Sequence, residues 1–586
     1  MKNRMMKLAF ALGLTGAMAA PALALDNHGG GAETPPMGVN PFNSHQGRLW
    51  NQQRWLLTAE AVARNGMKEA GYIYINNDCG TWASETSPEG HTVGLRNEND
   101  RIIVHEFIPD GLPYVGDYIH DLDLKIGYYV MPAIIEQTAE RGTIEKDFQA
   151  FADWGADFIK WDAWMDSEEE DFVRAAEVIE SLDRPIVFSV HGRHGPAFGH
   201  MWRTGADIDG EWRYILSSIN PLAEGAGQPG GWPDPDMLEV GHLDNMDEEQ
   251  SHFSLWCVSS SPLLAGNDVR SMFHDVQSVL LNTEAIAVNQ DISFAEMADN
   301  PFGSGKRVRY TDNMQLWVKP LEGNVRAVLL VNTGESDQEL SVSWSEAGLP
   351  EGEAQVRDLW AHENLGGFTN RYAAQVPPHG CKFLKIVPGS EPMAEPEPTW
   401  FPAPEAPTPI QPLARDGWSI ETNLGNGQEY IDGDASTPAM VSGGQNPNVL
   451  TIDMQESQTF NTVLLNSRYT GELNALRPYT VYASAHEMEV HVSEDGESWK
   501  QVYDGFIGPN NYGAFTFEDQ TARYVRIVHA LSEGTQGGPG SDLDYQPFGP
   551  GEGQVTEIKV AQVEELPEAF EPGAGPDTDV VHPPLD

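Results

Sequence analysis

The chain has 586 residues, 40% hydrophobic and 9% aromatic, enough to bury several cores and too many for one ordinary domain. Its 35 basic residues stand against 88 acidic ones, a formal net charge of −53. A surface this negative repels phosphate backbones and anionic lipid, so neither nucleic acid nor a membrane surface is expected as a partner.

Residues 1–24 read as a bacterial Sec-type signal peptide. Lys2, Arg4 and Lys7 precede an apolar run from Leu8 to Ala20, and Ala22-Leu23-Ala24 fits a small-x-small cleavage site near Ala24. That run is too short to span a bilayer, and no later stretch reaches the roughly 18 apolar residues that spanning requires. A secreted or periplasmic chain without membrane insertion is therefore expected. Its three cysteines, Cys79, Cys257 and Cys381, lie far apart and form no zinc or redox motif. Their odd number leaves at least one thiol free or paired between chains.

Residues 25–298 alternate short apolar strands with amphipathic helices. Strand-like runs stand at 71–75, 124–130, 157–161 and 185–189. Helical faces carry Leu56, Ala59, Ala63, Met67 and Ala70, then Ile144, Phe148, Phe151 and Ala152, then Phe172, Ala176 and Ile179 after a capping Ser167. Strand–helix units repeated over this length predict a (β/α)8 TIM barrel; the early Gly-x-Gly-x-x-Gly turn of a dinucleotide-binding sheet is missing. Residues 299–388 change to short strands between turns, an antiparallel β-sandwich. A proline-rich linker is expected over 389–415, a second all-β unit over 416–564, and a disordered tail over 565–586.

Barrel chemistry sits at the C-terminal strand ends. Asp162 closes Asp157-Phe-Ile-Lys-Trp-Asp162, and Asp207 lies in Trp202-Arg-Thr-Gly-Ala-Asp207. Each alone reads equally as a cap or an ion-pair partner. Together, with no cofactor motif, two strand-end carboxylates suggest glycoside hydrolysis.

The segments Thr34-Pro-Pro-Met-Gly38, Asn77-Asp-Cys79, Lys160-Trp-Asp162, Trp202-Arg-x-x-Ala-Asp207, Gly230-Gly-Trp-Pro-Asp-Pro-Asp-Met-Leu238 and Ser251-His-Phe-Ser-Leu-Trp256 stand in this order. This series resembles glycoside hydrolase family 27, the α-galactosidases, over about residues 34–388. The resemblance implies a retaining double displacement that needs no cofactor. Asp162 would be the nucleophile and Asp207 the acid/base, their carboxyls about 5–5.5 Å apart. It further implies that Phe42, Asn77, Asp78, Tyr129, Lys160 and Arg203 line the sugar site, and Asp236 reads as a structural carboxylate.

Three departures bear on the sugar. The family's Asp-Asp pair for the 4- and 6-hydroxyls is Asn77-Asp78. The nucleophile strand ends Asp162-Ala-Trp, where the family has Asp-Asn-Cys. The Cys-Glu-Trp after the fifth strand is replaced by His191-Gly-Arg-His194, with the Glu for the 2-hydroxyl aligned to Gly192. His191 and Arg193 then make a neutral-to-cationic wall suited to a substituted or sulfated galactan, or Arg193 turns away to a surface acid. No third ligand accompanies His191 and His194, so no metal is expected there. The expected activity is hydrolysis of terminal α-D-galactosides in an oligo- or polysaccharide. A β-L-arabinopyranosidase and a non-catalytic glycan binder are the alternatives.

Asp432-Gly-Asp-Ala-Ser-Thr437, Val490-His-Val-Ser-Glu-Asp-Gly-Glu-Ser-Trp499 and Glu557-Ile-Lys-Val560 resemble a discoidin-like (coagulation factor 5/8 type C) carbohydrate-binding module. The resemblance implies a structural Ca²⁺ on Asp432, Thr437 and Glu557, oxygen ligands as that cation requires; acidic surface loops are the other reading.

Overall fold

The structure, a computed structural model, describes residues 32–45, 52–78, 81–86, 92–99, 101–106, 108–131, 143–162, 169–192, 195–394, 408–423, 427–433, 448–467, 475–476, 479–481, 486–506, 513–531 and 555–563. The expected signal peptide, Cys79, Ser167, Arg193, His194, Thr437 and the expected tail lie outside these residues.

Eight parallel strands form the first unit: β1 (Met37–Val39), β2 (Tyr74–Asn76), β3 (Lys125–Val130), β4 (Phe158–Asp162), β5 (Val187–His191), β6 (Met201–Arg203), β7 (Trp232–Asp234) and β8 (Leu263–Ala265). Their order is β8-β1-β2-β3-β4-β5-β6-β7. Leu238, just past β7, bridges Ala265 on β8 and closes the barrel. Strands such as Lys-Ile-Gly-Tyr-Tyr-Val and Val-Phe-Ser-Val-His are apolar almost throughout because helices cover the outside and side chains fill the inside. Gly127 on β3 is required by that filling: a Cβ there would lie 1.9 Å from Asn76 Oδ1.

The predicted helical face from Leu56 to Ala70 is split. Gly66 takes φ 88°, so the chain forms Gln52–Arg64 and then a single turn, Met67–Ala70, before Gly71 at φ 111° leads into β2. The predicted strand at 71–75 accordingly starts later, at Tyr74.

The antiparallel unit follows in the order Lys306–Thr311, Met314–Leu321, Val325–Asn332, Cys381–Pro388, Glu353–Asp358, Glu363–Thr369, with a two-stranded layer, Gln338–Ser343 against Arg371–Val376. Helix Met246–Val258, capped by Asn245 and buried over most of its length, lies between barrel and sandwich. Trp317, Leu329, Val331 and Phe383 of the sandwich belong to the barrel's own hydrophobic core. Lys319 crosses the same boundary: its Nζ donates to Ser260 Oγ (2.6 Å), Val288 O (2.6 Å) and Asn289 O (3.0 Å).

A third core is built on Ser419–Thr422, Asn448–Ser467, Gly513–Leu531, His486–Ser493 and Lys500–Phe506, in that sheet order. Within the expected proline linker, Thr408–Pro409 pairs with Ala475–Leu476 as an edge ladder. Tyr479–Val481 pairs antiparallel with Ser271–Phe273, just past β8. Cys257 is buried and Cys381 half-buried, both as free thiols. Among the described residues no helix is long and apolar enough to cross a membrane.

Candidate active site

Parallel register sets the site. Tyr129 pairs with Lys160 across β3 and β4, and Asp162 pairs with His191 across β4 and β5. These side chains meet at the C-terminal mouth of the barrel. The Tyr129 hydroxyl donates to Asp162 Oδ2 at 2.7 Å, and His191 Nδ1 stands 2.9 Å from Asp162 Oδ1. Lys160 Nζ donates to Asp78 Oδ2 at 2.7 Å and lies over the Tyr129 ring.

The electrostatics of Asp162 follow. Its side chain is 13% exposed, and burial alone raises a carboxyl pKa. That push is outweighed by the His191 hydrogen bond, the Lys160 charge and the Tyr129 hydroxyl, which bring Asp162 down to about 2. Burial disfavours the Lys160 charge too, but Asp78, Asp236 and Asp162 raise its pKa and keep it protonated.

The loop after β6 carries the second carboxylate. Arg203, at the end of β6, donates to Asp207 Oδ1 (3.1 Å) and pairs with Asp236 Oδ2 (2.6 Å). Asp207 is 68% exposed at the rim. Asp236 accepts the Ile208 N–H on Oδ2 and the Met237 N–H on Oδ1, and holds φ 101°, a conformation Asp tolerates through such local bonding. It thus ties Arg203 to the loop that bears Asp207.

Asn77 is turned inward. Its Oδ1 accepts the Tyr129 N–H (2.9 Å), and its buried amide nitrogen finds no protein partner. It lines a small cavity in the barrel mouth with Asn76, Lys160, Arg203, Asp234 and Asp236. Burial, with Asp236 adding to it and Arg203 opposing, pushes Asp234 up to about 6.

Phe42 does not line this cavity: with Asn43, Asp207, Tyr214, Glu239 and His242 it lines a separate cleft. The reading of Gly192 as the lost Glu position is corrected. β5 ends at His191 opposite Asp162, and a shift of one residue along a strand swaps faces, so His191 is the residue beside the nucleophile position.

The match to known proteins runs along the same residues. Residues 46–291 match the family model described as alpha galactosidase A, and 311–386 that of the alpha galactosidase C-terminal beta sandwich domain. A Dictyostelium discoideum protein named "Probable alpha-galactosidase" is 35% identical over 408 residues, 66% of this chain and 100% of that protein. The chain belongs to the α-galactosidase family. It is a glycoside hydrolase. The alpha-galactosidase of Cyamopsis tetragonoloba is 34% identical over 61% of this chain and 87% of its own length. The crystal structure of alpha-galactosidase I from Mortierella vinacea superposes with TM-score 0.54 at 26% identity, over 63% of this chain and 100% of that one.

The C-terminal module matches a third model, a NedA-like galactose-binding domain of the F5/F8 type C class, over 429–527. Asp432 lies at the exposed end of the described segment 427–433, and Glu557 lies on the strand Val555–Ala561, opposite Asn466. Thr437, the other expected calcium ligand, falls outside the described residues.

Sequence reasoning did not single out Asp234, Asn76, Glu239 or His242. Asp234 sits two residues from Asp236 in the quoted Asp-Pro-Asp signature, which was the available signal.

Proposed function

We propose that this galactosidase-family chain is a retaining exo-glycosidase that removes terminal α-D-galactosyl groups by double displacement. Asp162 Oδ attacks the anomeric carbon while Asp207 gives its proton to the departing glycosidic oxygen. Asp207, now a carboxylate, takes a proton from water, whose oxygen displaces Asp162 and restores both groups. The observation that carries this reading is the contrast between the two acids. Asp162 accepts the Tyr129 hydroxyl, stands beside His191 and Lys160 and is kept ionised inside the mouth, while Asp207 is largely exposed beside Arg203.

Lys160 and Asp78, paired beside the nucleophile, suit the recognition of ring hydroxyls. His191 supports a neutral-to-cationic wall beside the sugar's 2-position, fitting a substituted or sulfated galactan. The signal-like residues 1–24 support export, and the galactose-binding-type module supports delivery to glycan surfaces.

Asn77 favours a second reading. With Oδ1 already accepting the Tyr129 N–H, it offers a sugar a neutral amide, where an Asp has a charged acceptor. A ring lacking the 6-hydroxymethyl group, a β-L-arabinopyranoside, loses nothing there.

The test is nitrophenol release from α-D-galactoside, α-N-acetylgalactosaminide, β-L-arabinopyranoside and α-glucoside, beside Asp162→Asn. The α-galactoside is expected to turn over, and the variant to be silent. Preference for the arabinoside selects the second reading. Glycan binding without any turnover would make the chain a binder and overturn both.

A further inference from the structure

Asp207 is largely exposed, yet the chain around it is closely held. Three residues before it, the Thr204 N–H donates to Asp234 O on β7 at 2.9 Å. Ile208, the residue after it, is buried and held through both of its peptide groups. Its N–H donates to Asp236 Oδ2 at 2.9 Å, and its carbonyl accepts from Asn43 Nδ2 at 3.2 Å. The same Asn43 nitrogen also donates to Glu239 Oε1, and Glu239 Oε2 lies 2.8 Å from His242 Nδ1. Glu239 is fixed through its backbone as well, its N–H donating to Nε2 of the buried His252 at 2.8 Å. Burial, with His242 nearby, pushes His252 down to about 3, which leaves Nε2 unprotonated as that bond requires. Two residues beyond Ile208, Gly210 lies against His242, where a Cβ would stand 2.9 Å from the His242 carbonyl oxygen.

We infer that Asn43 and Glu239 are positioning residues for the acid: they fix the peptide that follows Asp207 and so aim its carboxyl at the departing oxygen. The inference rests on the galactosidase reading of Asp207. Arg203 restrains the Asp207 side chain at one oxygen, which leaves its aim to the backbone that carries it. A shift there of about 1 Å is enough to cost a proton transfer much of its rate. Asn43 follows β1 in the short helix Phe42–His45, and Glu239 follows Leu238 where the barrel closes. Together they tie the loop after β6 across that closure. Their chemistry divides the work. A carboxylate oxygen accepts, and an Asn amide carries its donors at one end only. Glu239 therefore sets which way the Asn43 amide points, and the end so chosen is the one that reaches Ile208 O. The opposite end of Ile208 is held by Asp236, so the peptide is gripped from both sides and Asp207 is left with its own two side-chain torsions.

The experiment compares kcat/KM on methyl α-D-galactoside, whose methoxide must be protonated to leave, with kcat/KM on α-galactosyl fluoride, whose departure draws little help from an acid. Asn43→Ala is expected to lower the ratio of the first to the second by about tenfold. Glu239→Ala is expected to do the same, and it decides the matter should Asn43→Ala fail to fold. Glu239→Gln, which keeps an oxygen for the Asn43 amide, is expected to hold the native ratio. Fluoride turnover in each variant reports a folded barrel. A loss of stability alone would lower both activities together and leave the ratio where it was. A native ratio in Asn43→Ala and Glu239→Ala, whether both activities stand or fall, overturns the inference. No turnover of the fluoride by the native chain overturns the galactosidase reading instead.

Discussion

At Asp162 opposing effects of similar size meet. Desolvation raises the carboxyl, while His191, the nearby Lys160 ammonium and the Tyr129 hydroxyl lower it to about 2. The sign of the pH dependence follows. A carboxylate with a depressed pKa stays ionised as pH falls, so the acid limb of kcat/KM is expected near the bottom of the range where the fold survives. His191→Ala removes the largest of the lowering contributions and leaves burial less opposed, so that limb is expected to move to higher pH. A pH profile on α-galactosyl fluoride checks this; an unmoved limb would mean that His191 does not act on the nucleophile. Asp162 was singled out in the sequence because it ends an apolar strand, and Asp207 because it follows one, each inside a segment that resembles the family's. His191 was read only as part of a wall beside the sugar; that it stands opposite Asp162 depends on where β5 stops, which inter-strand register decides. Glu239 and His242 were not legible as a cleft floor, because their neighbour Asn43 lies about 200 positions earlier, a contact that no local pattern encodes.

At the scale of elements, strand spacing positions the site. Asn77 receives its place from β2 and passes it to β3: its N–H donates to Gly127 O and its side chain accepts from Tyr129 N–H. Trp82 Nε1 then fixes the Tyr129 carbonyl at 2.7 Å. Gly127→Ala drives a methyl into Asn76 Oδ1 and toward Phe158 Cβ, 3.0 Å away. A loss of about 1–3 kcal/mol is expected, with a fall in kcat because Tyr129 moves with β3. Thermal unfolding and kinetics on the same preparation check it, and an unaltered Tm would show that the barrel interior yields there. Strand identities were readable from apolar runs. Boundaries were not, since Gly66 and Gly71 take left-handed conformations that end one helix and delay β2.

At the scale of the molecule, the sandwich keeps a core of its own but lends Trp317, Leu329, Val331 and Phe383 to the barrel's, with Lys319 as the polar bolt between them. Burial pushes this amine down to about 7, opposed by Asp291, yet it meets three oxygen acceptors. Lys319→Met strands those buried acceptors, and a loss of about 1–3 kcal/mol is expected, read as one cooperative transition at lower temperature for barrel and sandwich together. Separate transitions for the two units would contradict the shared core. The succession of barrel, sandwich and β-module was legible from changing periodicity and motif. The pairing of Tyr479–Val481 with Ser271–Phe273 was not, because short strands joined across 200 residues carry no signature of their partner.

The most direct measurement of the central claim is covalent trapping. The native chain is incubated with a fluorinated α-galactosyl fluoride that slows hydrolysis of the galactosyl–enzyme ester, then examined by intact mass and peptide sequencing. One sugar per chain is expected, on the peptide that carries Asp162, with no label on Asp162→Asn. A label on another residue, or full turnover by Asp162→Asn, would contradict the account.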